Sequence, residues 1–300
     1  MFIGVLLALA GALSHSVSFI SRKRGLEVAD YNAFILIRVV IGIVFSVILL
    51  WTIGPGLSGL TLKMSLPFII TGGLAGGFLA LITTTLAIHY IGASKSHAIT
   101  SSSPLVTAAV EVVLLGSALT LSIILGTVFV VVGAALISFL IHQNEDNSTR
   151  ETITHKPVLG LAMAFYTVLA IGSQMALQKW GLNMGVTPLQ GLFLHILTAA
   201  VIVTLYLPFK KPDLELRNLG QLRYSGNFIV AAVAMAVVPL LNLYALSFLP
   251  ATVVSALMRV APLFTVILTH FFLRGIEKVN WKIGLSTCFI VAGAVLVSLH

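Results

Sequence analysis

Residues 91–116 read IGASKSHAITSSSPLVTAAVEVVLLG, and residues 249–277 read LPATVVSALMRVAPLFTVILTHFFLRGIE. Both are long apolar runs with a proline deep inside. At one constant offset Ala93 meets Ala251, Ala98 meets Ala256, Pro104 meets Pro262 and Thr107 meets Thr265. Upstream the same offset carries Ala87 onto Ala245. Further along, FVVVGAALIS at residues 129–138 faces FIVAGAVLVS at residues 289–298, and near the front Lys23, Gly25 and Leu26 meet Lys179, Gly181 and Leu182. A small apolar alphabet yields chance identities, but their order along three separate stretches marks an internal duplication.

Outward from these runs, ten apolar stretches fill the chain: Phe2–Ile20, Ala33–Ile53, Leu66–Tyr90, Ser96–Ser117, Leu119–Ile141, Pro157–Gln178, Thr187–Leu207, Gly226–Ser247, Ala251–Leu273 and Trp281–Leu299. Each is roughly the 17–25 residues that a helix needs to cross a bilayer. Backbone polar groups in hydrocarbon must be paired within their own segment, so continuous apolar runs of this length predict helices and exclude an alternating β-barrel. The expected fold is an all-α integral membrane protein of ten transmembrane helices, arranged as two five-helix repeats. Five is odd, so the second repeat enters the membrane opposite to the first, and the interface of such inverted repeats is where transport sites form.

Composition agrees. With 58% hydrophobic and 9% charged residues and a mean hydropathy of +1.09, there is too little polar surface to coat a soluble globule. The net charge of +8 does not point to nucleic acid, because the basic residues sit in short gaps between apolar runs, where they meet lipid headgroups. The expected partners are the lipid bilayer and a small-molecule substrate, with a coupled proton as co-substrate and no nucleic acid; oligomeric state is left open. The single cysteine, Cys288, cannot form an intrachain disulfide. The polar break HQNEDNSTRETITHK at residues 142–156 separates the halves, which predicts a first repeat at 1–145, a linker at 146–156 and a second repeat at 157–300.

Arg22, Lys23, Arg24, Lys210 and Lys211 lie in odd-numbered gaps, whereas the even-numbered gaps carry only Lys63 and Lys179. Basic loops stay in the cytoplasm, so the odd gaps are expected inside and both termini outside. The expected location is the prokaryotic cell (inner) membrane. The uncharged start MFIGVLLALAG lacks the basic region of a cleaved signal peptide.

In the duplicated ten-span layout, in LIRVVIG around Arg38, in the two long runs quoted above and in the glycine-bearing fifth and tenth spans, the chain resembles the EamA-type branch of the drug/metabolite transporter superfamily. That resemblance implies a carrier of small organic solutes such as amino acids, sugars or nucleotide-linked metabolites, with the fourth and ninth helices lining a central cavity. Two departures stand out. The glutamate that usually closes the fourth span is absent, with Ser117 near its place and Glu277 as candidate for its second-half partner. The family also commonly keeps both termini in the cytoplasm, opposite to the charge bias here.

Ionisable side chains inside a span cost roughly 2.5 kcal/mol or more, so each needs a partner, water or a function. In the fourth span His97, Ser101, Pro104, Ala108 and Glu111 form one helical stripe, and Ser255, Arg259, Pro262, Val266 and Thr269 repeat it in the ninth. One stripe carries an acid and its mate a base. The candidate substrate or coupling-ion residues are therefore Glu111, Arg259, His97, Ser101, Gln174, Asn242 and Tyr244. A structural Glu111–Arg259 ion pair is the alternative for the first two. Arg38 is expected to snorkel to the interface, and His89, His195 and His270 to pack or hydrogen-bond rather than relay protons. Thr167, Gln174 and Gln178, matched by Gly11, Ser18 and Arg22, suit interhelical bonding as well as solute binding.

No nucleophile elbow, zinc-binding helix motif, phosphate loop or clustered metal ligands occur in the sequence, so neither a catalytic residue nor a cofactor or metal is expected. The expected function is secondary active transport by alternating access of a small polar or amphipathic metabolite, with amino acids as first guess. The rivals are a polyspecific exporter of lipophilic cations, which Arg259 would repel, and a non-transport membrane enzyme or scaffold.

Overall fold

The computed structural model describes residues 1–26, 31–75, 78–91, 93–145, 157–206, 222–272 and 281–298. The linker at 146–156 and Glu277 lie outside them. In the first half the chain forms α1 (Phe2–Leu26), α2 (Tyr31–Thr52), α3 (Leu62–Ile70), a π turn (Thr71–Ala75), α4 (Phe78–Ile91), α5 (Ala93–Thr100), α6 (Ser103–Leu115) and α7 (Leu121–Glu145). The second half forms α8 (Pro157–Asn183), α9 (Pro188–Tyr206), α10 (Leu222–Phe248), α11 (Ala251–Met258), α12 (Ala261–Phe272) and α13 (Trp281–Ser298). Among the described residues seven stretches are long and apolar enough to cross a membrane, and three shorter apolar helices, Ile82–Ile91, Leu121–Leu136 and Leu285–Val297, accompany them. Large apolar side chains such as Trp51, Val113, Leu169 and Val295 are exposed, as lipid-facing residues must be.

Three of the predicted spans are not single helices. The fourth splits into α5 and α6 and the ninth into α11 and α12, at matched positions just before Pro104 and Pro262. Proline has no N–H to donate and disfavours helical geometry in the residue before it. The chain tightens there into i→i−3 bonds instead: Ser102 N–H to Ile99 O, Arg259 N–H to Ala256 O and Val260 N–H to Leu257 O, all at 3.0 Å. The third span is interrupted by the π turn at Thr71–Ala75, a form that accommodates extra chain within a helix. There α9 comes so close that a Cβ on Gly72 would collide with the His195 carbonyl.

Across the halves, equivalent side chains make equivalent contacts with exchanged partners. Gly25 of α1 receives the Phe228 ring of α10, and Gly181 of α8 receives the Phe68 ring of α3. Between α7 and α13, a Cβ at Gly126 would lie 2.7 Å from Gly293 O, and one at Gly133 would lie 2.8 Å from Ser286 O. Phe129 and Phe289 meet edge to face between these pairs, their centroids 5.8 Å apart. Small residues at such crossings let backbones approach closely, which drives helix association where no hydrophobic gain is available. Interhelical hydroxyls add to it: Ser18 donates to Ala231 O at 2.7 Å, and the Thr83 and Thr167 hydroxyls lie 2.8 Å apart.

Candidate solute-binding site

The two broken spans face each other through α6 and α11, which run antiparallel. Every fourth residue of α6 engages α11. At the inner end the Arg259 guanidinium donates through Nη2 to Ser103 Oγ. One turn on, the Thr107 hydroxyl lies 3.0 Å from Ser255 Oγ and 2.9 Å from Gly172 O of α8. At the far end Glu111 accepts from Ala251 N–H at 2.8 Å, from Thr252 N–H at 2.7 Å and from the Thr252 hydroxyl at 2.6 Å.

Glu111 is thus the cap of a helix in the other half. Pro250 occupies the N-cap of α11 and provides no side-chain acceptor, so the first amide donors of α11 would be unpaired without the carboxylate. An anion at a helix N-terminus is favoured by the aligned peptide dipoles, and charge-assisted bonds are the stronger kind. Glu111 is only 1% exposed, and Lys179 stands close enough to interact with its charge while donating through Nζ to Leu246 O at 2.6 Å.

Glu111 and Arg259 are therefore not partners. They engage opposite ends of α11, eight residues apart, which is about 12 Å along a helix. Arg259 sits in the break itself, as the C-cap of α11. Three guanidinium groups, of Arg22, Arg38 and Arg259, act electrostatically on His15 of α1. His15 itself is exposed. Arg22 also lies over the rings of Phe19 and Phe34, at 5.5 and 5.7 Å from their centroids.

A small cleft of about 70 Å³ opens beside this basic centre, between α2, α9 and α10. Its polar groups come from Arg38 and His195, and its walls from apolar residues including Val39, Ala199, Met235 and Pro239. Arg38 acts on His195 as well as on His15, so it links the cleft to the basic centre. His195 is held from behind by the Thr71 hydroxyl, 3.4 Å from Nδ1.

The remaining candidates are dispersed. Ser101 is buried at the first break. Asn242 is buried against Gly11 of α1, its Oδ1 without a hydrogen-bond partner among the described residues, as is Gln178 Nε2. Tyr244 and Gln174 are half-buried; two residues from Asn242 on one helix, Tyr244 faces another way. The side chains of His97 and His270 lie outside the described residues. Sequence reasoning overlooked His15, Ser103 and the contact made by Thr107, and read Arg38 and His195 as interfacial or packing groups. Two signals were available: the i, i+4, i+8 spacing of Ser103, Thr107 and Glu111, and the two-turn spacing of His15 and Arg22.

The fold and the paired breaks before Pro104 and Pro262 define a polytopic helical membrane protein built from two related halves. The EamA-like transporter family matches residues 2–139 and again residues 158–299, and the chain belongs to that family of membrane transporters. A solved structure described as "Crystal structure of protein" has a TM-score of 0.75 at 15% identity, covering 99% of this chain and 97% of its own. At that identity the likeness concerns the fold alone. No curated protein matches the chain significantly.

Proposed function

We propose that this EamA-family protein is a secondary active transporter that moves a small organic solute by alternating access between two inverted five-helix repeats, joined by the linker at 146–156. One observation carries the reading: the crossed, proline-broken spans are closed together at one end only. There α6 and α11 are zipped by Glu111, Thr107 and Ser103, whereas their counterparts α12 and α5 show no comparable packing among the described residues. A repeat pair related by inversion can exchange these two arrangements, which opens the central space to one side and then to the other. The exchanged contacts of Gly25 and Gly181, and of Gly126 and Gly133, support inversion.

With basic loops inside, both termini face outward in the prokaryotic cell membrane. The zipped end is then the outer one, and the basic centre is reached from the cytoplasm. Amino acids and related carboxylates are the solutes first to be tried. The basic centre disfavours a lipophilic cation. Solute counterflow in proteoliposomes tests the reading: labelled solute should accumulate against preloaded unlabelled solute. A protein that exchanges no member of a broad metabolite pool, cations included, would instead be a membrane enzyme or scaffold.

A further inference from the structure

We propose that the corner at Pro250, where α10 passes into α11, is an ionic latch that holds the zipped end of the molecule shut, and that Lys179 is its positioning residue. The inference rests on the transport reading and deepens it by naming what keeps one gate closed.

The proline comes first. In a continuous helix the carbonyl of residue 246 accepts from the amide of residue 250, and residue 250 is a proline with no N–H. Leu246 O is therefore left without its helical donor, and Lys179 of α8 supplies one through Nζ at 2.6 Å. The same proline is the N-cap of α11 and offers no side-chain acceptor. The leading amides of α11, which no helix pairs internally, are taken by Glu111 of α6, at Ala251 and at Thr252. One residue thus leaves groups of both polarities unpaired, and a base and an acid from two other helices answer them. Each charge stands at the helix pole that favours it, the cation at the carbonyl end of α10 and the anion at the amide end of α11. Lys179 and Glu111 also attract each other across the corner.

The related half is built otherwise. At the offset that carries Pro104 onto Pro262, Pro250 matches Gly92, which keeps its N–H, and Glu111 matches Thr269, which carries no charge. Of the three latch residues only Lys179 has a like mate, Lys23. The latch therefore belongs to one end. When the repeats exchange their arrangements, an ionic closure is traded for one that lacks the acid, and the arrangement closed at the ionic end is the resting one.

The test uses the full chain with Cys288→Ser in phosphatidylcholine nanodiscs, without solute. Hydrogen–deuterium exchange of residues 251–258 reads the latch itself. Alkylation of Ser255→Cys by N-ethylmaleimide reads the seam, because Ser255 is buried between α6 and α11. Lys179→Met keeps the apolar stem and removes the donors and the charge. It should speed both readings by roughly tenfold or more, the loss of one charge-assisted bond, while exchange in α7 at residues 121–138 stays native. Lys179→Arg should preserve both readings. Pro250→Ala restores the amide at residue 250, so in that background Lys179→Met should change either reading by less than roughly threefold. This pair also keeps the test open if Lys179→Met alone does not fold.

Native protection in Lys179→Met, a loss of protection spread equally over α7, faster amide exchange without faster alkylation, or failure of Pro250→Ala to restore the readings overturns the proposal. Counterflow separates the latch from the carrier. If Lys179→Met opens the seam but the native protein exchanges no solute, the latch stands and the transport reading falls. If the native protein exchanges solute and Lys179→Met neither opens the seam nor slows exchange, the carrier stands and the latch falls.

Discussion

Glu111 makes three bonds to a helix of the other half, from two amides and one hydroxyl. Glutamine keeps the shape but turns one acceptor into a donor and removes the charge from the positive end of α11. Bonds to charged groups contribute about 1.5–3 kcal/mol each, so Glu111→Gln should lower the melting temperature of the purified protein markedly. It should also slow exchange at every pH, because the clasp is mechanical; a variant with unchanged stability that lost only pH-driven accumulation would identify Glu111 as a proton carrier instead. Gly72 gives a second prediction at this scale. A Cβ there meets backbone, the His195 carbonyl, and backbone cannot yield as a flexible side chain does. Gly72→Ala should therefore destabilise by about 1–3 kcal/mol, the range for overpacking, and should perturb the cleft that His195 lines, read as a drop in melting temperature.

At the scale of elements, the breaks before Pro104 and Pro262 place Arg259 and Ser103 where they touch, because an unbroken helix would carry both past each other. Helix-favouring substitution removes the reason for the break: alanine restores the missing donor and costs about 3 kcal/mol less than proline inside a helix. Pro262→Ala should leave thermal stability equal or higher while slowing counterflow, since a continuous ninth span lacks the hinge between α11 and α12. A Pro262→Ala protein that exchanges solute at the native rate would show that the break is not used in transport. The α6–α11 zipper offers a direct lock. Thr107 Oγ1 and Ser255 Oγ are 3.0 Å apart, so cysteines at both positions, with Cys288 replaced, should form a disulfide that arrests exchange until it is reduced.

For the whole molecule, the proposed inversion sets the two halves in opposite orientations, and the basic bias predicts that Lys95, in the first turn of α5, faces the cytoplasm while the Ser58 loop faces out. Both residues are exposed. Ser58→Cys should be labelled by an impermeant maleimide on intact cells, and Lys95→Cys only after permeabilisation; the reverse pattern would invert the molecule and turn the zipped end toward the cytoplasm.

Membrane class, helical character and duplication were determined by the sequence alone, because hydrocarbon leaves a long apolar run one way to pair its backbone and because Pro104 with Pro262, and Gly133 with Gly293, repeat in register. Family membership was legible for the same reason. What each polar residue faces was not. Glu111 and Arg259 share matched stripes in sequence, yet antiparallel crossing of α6 and α11 sends them to opposite ends of one short helix. Arg38 and His195, isolated on separate apolar runs, become the polar lining of one cleft only when α2, α9 and α10 converge. Periodicity along a helix reports which residues share a face; which neighbour covers that face is set by packing between segments far apart in the chain, and only the tertiary structure decided it.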